Sequence, residues 1–517
     1  MSFYHCCLIL CQYALAVSLL YALATGCESH TTVEDIEDTG SNASASGDID
    51  TNTHLNTDTN SENGNTSISD AGHEDLAPTK QVSSISHHGI TWTFSVPVAA
   101  GQFITGDWFV IGPVTVTDID PPPEDGRNGS VVNLPPTQSR SGWDNRVEEN
   151  RYDASLRNAP PIELQAGDTL LSSISVETPG EVYNWLRDQN EKSLSPVWSI
   201  SVLTCLNEAP VADAFRPSYS DPEQRIYRQS DIDLTSIGSL ALPQGTTVET
   251  STLEEFATRF IRPWVDNLSF GFDAQVEYMP MYGREMGRAA GIASLMLLVD
   301  LPEEQKDIQE RLLIGFVQHG IDLWGLVRAG YPGWSAHGGH GSGRKWFIMF
   351  SGLLLSDEEM AEPTVTYPKL KMGEDMQTAY VSDVPDSAPV WWDQSEVVYT
   401  GHTGLWNNEV VSSDPGWGPY EHLPPDEWAS DTGESYRRCC TSLAWVGEAL
   451  AARLMNAMDH WAHPAFFDYV DRWMNPGDDN EYTATILEMT GWDFTPDWAA
   501  HGQAWDDLVE EMWTEYR

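Results

Sequence analysis

The chain has 517 residues, of which 41% are apolar and 20% charged, and this composition excludes both a chain disordered throughout and a polytopic membrane protein. Its 78 acidic and 27 basic residues give a net charge of −51. Because a sequence-independent grip on DNA or RNA needs a basic surface, this charge argues against nucleic acid as a partner. At ~150 residues per domain, the length predicts two or three folded units.

The N-terminal segment, residues 1–27, is an apolar run that closes on Ala24-Thr25-Gly26-Cys27. An apolar core followed by small residues is typical of a cleaved signal peptide. Small residues leading into a cysteine resemble the lipobox of bacterial lipoproteins, in which that cysteine, here Cys27, is lipidated. The chain departs from the pattern in having no Lys or Arg before the apolar core and Ala24 where leucine is commoner. A plain signal peptide and an uncleaved anchor stay open as alternatives.

The lipobox resemblance implies export across the inner membrane of a bacterium and a lipid anchor at the outer membrane or cell surface. Residues 28–85 fit an anchored protein, since they are mostly Ser, Thr, Asn, Asp, Glu and Gly and contain no Lys or Arg before Lys80. Such a composition cannot bury enough apolar surface to offset its ordering entropy. We therefore predict a disordered acidic tether over 28–85, with the membrane contacted through the anchor alone.

The first folded part is predicted over residues 86–250. Apolar residues alternate with polar ones, as in Ile90, Trp92 and Phe94, and clusters of Pro, Gly and Asp divide the alternating runs. Short alternating strands separated by turns predict an N-terminal antiparallel β-sandwich.

The second folded part is predicted over residues 251–517, where the apolar period becomes helical. Residues 303–328 place an apolar stripe opposite charged residues. Three further segments are apolar nearly all round, so their helices must be enclosed by others: 289–299, 346–355 and 443–455. None reaches the ~20 residues of a bilayer span. We predict a mainly helical, (α/α) toroid-like domain with an irregular, Trp-rich insertion over 361–432.

A β-sandwich beside an (α/α) toroid resembles the layout of several polysaccharide lyase and glycoside hydrolase families. The resemblance covers the layout of residues 86–517, and no family motif aligns residue by residue. It implies an α+β multidomain fold and a carbohydrate-active protein, and it assigns no catalytic residue.

The densest polar segment is 333–345, which leads directly into the apolar helix predicted from residue 346. Ser342 is a suitable N-cap, and Arg344 and Lys345 would then lie in the first turn, where the helix dipole disfavours a cation by ~0.3–1 kcal/mol. Stability alone would place acids there, so the two cations favour an anion-binding pocket with His337 and His340 above it. The alternative is that the cations face solvent or pair with nearby carboxylates.

A second basic pair, Arg437 and Arg438, precedes the apolar helix predicted from residue 443 and follows Tyr436. If the helix begins at Thr441 or Ser442, these residues lie on the preceding loop, and if it begins at Thr432 they lie in its first two turns. Two basic pairs at the starts of two enclosed helices would suit the carboxylates of an acidic polysaccharide.

Tryptophan offers a second means of binding sugar, because an exposed indole face stacks on the C–H face of a sugar ring. Trp334 and Trp406 are predicted to contact substrate. The insertion carries several Trp residues off any helical stripe, for which sugar stacking and loop packing are both open: Trp391, Trp392, Trp406, Trp417 and Trp428.

No cofactor is predicted, because the chain has no P-loop, dinucleotide fingerprint, HExxH or GxSxG motif. A metal on His337 and His340 is disfavoured, and so is one on a further group whose geometry nothing in the sequence fixes, namely His402, Glu409, Glu421 and His422. Past Cys27 three cysteines remain, and a disulfide between Cys205 and one of the neighbours Cys439 and Cys440, an adjacent disulfide, and buried thiols all stay open.

The pattern favours a polysaccharide lyase that cleaves an acidic, uronate-containing glycan by β-elimination. The four cations would neutralise the uronate carboxylate, and His340 or Tyr436 would serve as base and the other as acid, with His337 beside them. A glycoside hydrolase would instead need a carboxylate pair, for which there are five choices: Asp273, Glu277, Asp393, Glu409 and Glu421. A non-enzymatic glycan-binding lipoprotein is the third interpretation.

Overall fold

The computed structural model describes residues 75–136, 140–147, 151–179, 185–186, 195–221, 223–267, 278–384, 395–407, 409–410, 421, 423–428, 430–495 and 503–517. The predicted signal segment with Cys27 lies outside these residues, as does the predicted tether up to residue 74. The tether was predicted to end at residue 85, but the first strand already begins at Lys80.

The N-terminal part of the described chain forms one mixed sheet of eight strands: β1 (Lys80–His87), β2 (Ile90–Gln102), β3 (Trp108–Ile111), β4 (Val114–Asp120), β5 (Ser130–Val132), β6 (Ile162–Leu164), β7 (Thr169–Ser175) and β8 (Val197–Leu206). The order is β5-β7-β8-β3-β2-β4-β6, with β1 paired to β2. The β3–β8 pair is parallel and the other pairs are antiparallel.

The predicted antiparallel β-sandwich is wrong, because the strands belong to a single curled sheet. Trp92 of β2 donates from Nε1 to Ser172 Oγ of β7 at 3.0 Å, although two strands separate β2 from β7 in the sheet order. The curl encloses one apolar core, and Leu171 and Val202 on the opposite face join a second core that they share with the helices. Alternating apolar and polar residues indicate that one face of each strand is buried. They do not indicate whether a second sheet, the same sheet or helices cover that face.

The helices follow the sheet in the chain: α1 (Thr250–Phe260), α2 (Gly283–Leu298), α3 (Lys306–Arg328), α4 (Arg344–Leu354), α5 (Glu358–Ala361), α6 (Pro363–Thr366), α7 (Gly373–Gln377), α8 (Thr432–Tyr436), α9 (Ser442–Leu454), α10 (Met458–Trp461), α11 (Pro464–Trp473), α12 (Pro476–Thr490) and α13 (Asp507–Tyr516). The amphipathic helix predicted over 303–328 is confirmed as α3. The three enclosed helices are confirmed as the buried helices α2, α4 and α9.

The predicted (α/α) toroid is wrong, because the described helices do not follow one another as paired hairpins around a ring. Helix α2 packs against the distant α9, so closely that a Cβ at Gly291 would lie 2.8 Å from the Gly447 Cα. Helix α3 packs between α1 and α4. Apolar helices must be enclosed, but their pattern leaves open whether strands, loops or other helices enclose them.

Residues 361–432, the predicted insertion, contain short ordered elements in their described part. These are α6, α7, β10 (Lys371–Met372), β11 (Thr378–Tyr380), β12 (Val397–Tyr399), β13 (Leu405–Trp406) and β14 (Glu409–Val410), and β10 pairs with β9 (Gly333–Trp334). Within the part of the chain that the structure describes, no helix combines the length and the apolar character that crossing a membrane requires.

Candidate functional site

Five aromatic and imidazole side chains meet in one cluster, which we call the His–Tyr pocket: Tyr282, His337, His340, His402 and Tyr436. The His337 ring lies 4.5 Å from that of His402 and 5.7 Å from that of His340, measured between centroids. Edge-to-face contacts join Tyr282 to His340 at 4.7 Å and Tyr436 to His402 at 4.6 Å. Thus three predicted catalytic residues, distant in sequence, come together.

The segments 333–345 and 434–442 meet at this pocket. A Cβ at Gly338 would lie 2.6 Å from the Tyr436 ring, so only glycine allows the loop to approach the ring this closely. The next amide, of Gly339, donates to the Tyr282 hydroxyl at 2.6 Å. His337 has a φ of +126°, a region that favours glycine and that other residues adopt mainly where function or packing requires it.

Gln377, at the end of α7, holds the two loops of the pocket together. Its Nε2 donates to the carbonyls of Gly338 at 3.0 Å and His402 at 3.1 Å. The His402 carbonyl also accepts from the amides of His337 at 3.0 Å and Gly338 at 2.8 Å. Neither Gln377 nor Tyr282 was predicted, because each lies far in sequence from the polar segments and carries no motif of its own.

The side chains of the His–Tyr pocket differ in their exposure to solvent, and the pocket opens to solvent at His337. His402 and Tyr282 are buried, His340 and Tyr436 are half-buried, and His337 is exposed. Burial lowers the pKa of His402 to about 2, and burial together with the neighbouring imidazoles and two arginines lowers that of His340 well below the usual value. Burial and the neighbouring Tyr436 raise the pKa of Tyr282. At neutral pH His340 and His402 are therefore uncharged and the Tyr282 phenol keeps its proton.

Arg344 lies in the first turn of α4, as predicted, but it is engaged within the protein. Its Nε donates to Asp266 Oδ2 at 2.7 Å, and its Nη1 donates to the carbonyls of His340 at 2.6 Å and Ser342 at 2.9 Å. Arg344 thus fixes the loop that carries His340. The predicted N-cap is wrong: Gly343 is the N-cap, and the Ser342 hydroxyl accepts from Trp445 Nε1.

Lys345 is fully buried and points into the helical core. Its Nζ donates to Asp375 and to the Trp461 carbonyl. Two further buried carboxyls, of Glu374 and Glu448, lie beside this pair, and the pKa of each is raised by burial and by nearby carboxylates. Two adjacent carboxylates cannot both ionise without solvation, so the pair of glutamates holds a proton.

Glu448→Gln is expected to remove a pH dependence of stability. A carboxyl whose pKa is raised on folding stabilises the fold at acidic pH, and this stabilisation is lost as the pH rises through its folded pKa. At pH 8 the amide should therefore raise the free energy of unfolding, because the unfolded chain would lose a proton that the buried Glu448 has to keep. At pH 5 the gain should shrink. Thermal melts at both pH values test this, with the exposed Glu488→Gln as control, and equal shifts at both pH values would contradict it.

Arg437 and Arg438 are buried and share Glu434 one helical turn earlier. Arg437 Nε lies 2.8 Å from Glu434 Oε2, and Arg438 Nε lies 2.6 Å from Glu434 Oε1. Arg437 also approaches Glu421 at 3.5 Å. All four predicted anion-binding cations thus face carboxylates of the protein itself, which is the alternative that the sequence left open, and they form no common recess of unpaired cations.

The remaining predicted residues lie apart from the pocket or outside the described chain. Trp334 is buried and donates to the Asp266 carbonyl at 3.3 Å, and Trp428 is buried against Trp492. Trp406 is half-buried, with Lys371 Nζ 5.7 Å from its ring centroid. The other predicted positions fall outside the residues or side chains that the structure describes: Asp273, Glu277, Trp391, Trp392, Asp393, Glu409, Trp417 and His422.

Glu421, a candidate metal ligand and a candidate catalytic acid in the sequence, is engaged within the protein. It is fully buried, accepts from Arg472 Nη1 at 2.7 Å and accepts from the Tyr399 amide at 2.6 Å. Arg472, Arg437 and these hydrogen bonds lower its pKa to about 2, although burial alone would raise it. This ionised carboxylate therefore belongs to a buried ion-pair network within the protein.

The helical segment behind Tyr436 contains a disulfide between the neighbours Cys439 and Cys440, and Cys205 is a free, buried thiol. Helix α8 continues through a π-helical segment, Arg437–Thr441, into α9, so the helical turns begin at Thr432. The Cys439 carbonyl accepts from Arg284 Nη1 at 2.9 Å. A π-helical segment is rare and frequently marks a functional site, which fits its position at the pocket wall.

Comparisons with protein-family models, with curated proteins and with solved structures found no match for this chain.

Proposed function

We propose that the protein is a carbohydrate-active lyase that cleaves an acidic, uronate-containing polysaccharide by β-elimination, with the His–Tyr pocket as its active site. The observation that carries this proposal is the convergence of His337, His340 and Tyr436 from two distant segments into one pocket open at His337. Paired proton donors and acceptors within reach of one substrate atom are what acid–base chemistry requires.

The protonation state of His340 supports its role in proton transfer. Burial, the neighbouring His337 and His402, and then Arg344 and Arg151 lower its pKa, so this imidazole is uncharged at neutral pH and can accept a proton.

The proposed reaction assigns one role to each side chain at the mouth. The neutral His340 takes the proton α to the uronate carboxylate, the electron pair forms the new C=C bond, and the C–O bond at the β carbon breaks. Tyr436 donates its phenolic proton to the leaving oxygen. The His337 imidazole donates a hydrogen bond to the uronate carboxylate, a role that the sequence analysis gave to the four cations, which are paired within the protein.

A screen of uronic-acid polymers with the full chain tests this function. Alginate, pectate, ulvan and glycosaminoglycans should be assayed for the ultraviolet absorbance of the conjugated double bond and for new reducing ends. Absorbance and reducing ends rising together on one polymer would support β-elimination. Reducing ends without absorbance would indicate hydrolysis, and binding without turnover would indicate a glycan-binding protein; either result contradicts the proposal.

We further propose that Cys27 carries a lipid anchor that holds the protein at a bacterial surface. The support is the run of small residues before Cys27 and the acidic stretch after it. Cys27→Ser should release the protein from the membrane fraction, with Cys205→Ser as a matched control that stays bound. Wild-type protein recovered entirely in the soluble fraction would contradict the anchor.

A further inference from the structure

We propose that His87, His88 and Asp107 bind a divalent transition-metal ion such as Zn²⁺, at a site separate from the His–Tyr pocket. One ligand atom from each residue lies within 4.8 Å of the other two. His87 Nε2 is 3.1 Å from Asp107 Oδ1, and the two imidazole rings lie 3.6 Å apart between centroids with a tilt of 34°. Because two ligands of one ion with metal–ligand distances of ~2.0–2.2 Å lie at most ~4.4 Å apart, small side-chain adjustments would bring the three groups into coordination distance.

The β1–β2 hairpin places the His88 side chain beside that of His87. His88 and Gly89 form the tip of the hairpin, with φ values of +48° and +82°. Such a two-residue turn favours Asn-Gly, and histidine is also among the residues enriched at a positive φ. The turn therefore accommodates His88 and would accommodate asparagine in its place.

The carboxylate of Asp107 is held in place by groups on its other side. Arg216 Nε donates to Asp107 Oδ2 at 2.7 Å, and the Thr105 hydroxyl donates to the same oxygen at 3.2 Å. Oδ1 is left facing His87, whose own carbonyl accepts from Ser201 Oγ at 2.8 Å. Ligands fixed by such outer hydrogen bonds need little rearrangement to bind an ion.

The charge beside the ligands is compatible with metal binding. Arg216 also pairs with Asp322 at 2.6 Å, so this guanidinium is shared between two carboxylates. Coordination bonds, more than net charge, would hold the ion.

Two imidazoles and one carboxylate form a ligand set that suits zinc and its neighbours in the first transition series better than Mg²⁺ or Ca²⁺. Three protein ligands leave at least one position for water. The His87 side chain is 13% exposed, so an ion and its water can reach the site from solvent.

Calorimetric titration of the untagged, EDTA-treated full chain with Zn²⁺ tests the site. We expect one ion per chain with wild type and at least tenfold weaker binding with His88→Asn. Asparagine suits the turn, so metal-free His88→Asn should melt at or above the wild-type temperature and keep its fold. His87→Gln is a second variant that should weaken binding to a similar extent.

His337→Asn is the matched control, because it removes a histidine of the His–Tyr pocket and leaves the hairpin intact. It should bind Zn²⁺ like wild type. The proposal would be overturned if wild type bound no ion, if His88→Asn and His87→Gln bound as tightly as wild type, or if His337→Asn alone lost binding.

Discussion

Replacing Tyr436 by Phe is expected to lower kcat on the cleaved polysaccharide by ~10²–10⁴-fold, because the variant lacks the proton for the leaving oxygen. The ring contacts with His402 and Gly338 do not need the hydroxyl, so the variant should keep its fold, which circular dichroism checks. KM should change little, since the lost interaction acts in the transition state. Initial rates with the polymer found in the screen provide the measurement.

Tyr380→Phe is the matched control for this change. Its hydroxyl donates to Asp468 at 2.6 Å and contacts no residue of the His–Tyr pocket within the described chain. We expect its kcat to remain within about twofold of wild type. Full activity of Tyr436→Phe, or an equal loss in both variants, would remove Tyr436 from the proposed chemistry.

Replacing Arg344 by Met is expected to lower the free energy of unfolding by ~3–5 kcal/mol, which is the usual cost of breaking a buried ion pair by removing one partner. Asp266 is 3% exposed, and its pKa is already raised by burial even with Arg344 beside it. Without Arg344 this carboxyl would be buried and uncompensated. The carbonyls of His340 and Ser342 would also lose their donor. Denaturant unfolding followed by circular dichroism measures the loss.

The double variant Arg344→Met/Asp266→Asn should recover part of this stability, because it removes the stranded charge together with its partner. Arg311→Met is the matched control: Arg311 pairs with Glu254, both side chains are about half-exposed, and such a pair contributes ~0–1 kcal/mol. If Arg344→Met were as stable as wild type but bound the polymer more weakly, Arg344 would be a substrate ligand and its structural role would be refuted.

The sequence predicted individual elements better than their arrangement. The helices could be predicted because the spacing of apolar residues along a short segment shows how a helix is buried. Apolar residues on all sides predicted the enclosed helices α2, α4 and α9, and an apolar stripe on one side predicted α3. The curl that brings Trp92 to Ser172 joins residues 80 positions apart, and no local pattern specifies it. The β-sandwich and the toroid were predicted because apolar strand faces and apolar helices must be covered. In the structure the sheet curls on itself and packs against the helices, so the elements that cover these faces differ from the predicted ones.

At the candidate site, the local composition identified the segments that carry His337, His340 and Tyr436. It did not identify the residues from elsewhere in the chain that contact these segments. Asp266 neutralises Arg344 from 78 positions away, so a cation that looked free in the sequence is paired in the fold. The pairing of Arg437 with Glu434 was readable, since residues three apart are neighbours on a helix. Tyr282 and Gln377 become visible only when the loops are placed together.

Mass spectrometry of the fragments that the full chain makes from its preferred polymer tests the central claim most directly. Elimination leaves one fragment with a new double bond, lighter by one water than the corresponding hydrolysis product. We predict this lighter fragment with wild type and its near absence with Tyr436→Phe. Fragments that all contain the added water, or the same unsaturated fragment in equal yield from both proteins, would contradict an acid–base lyase site built on the His–Tyr pocket.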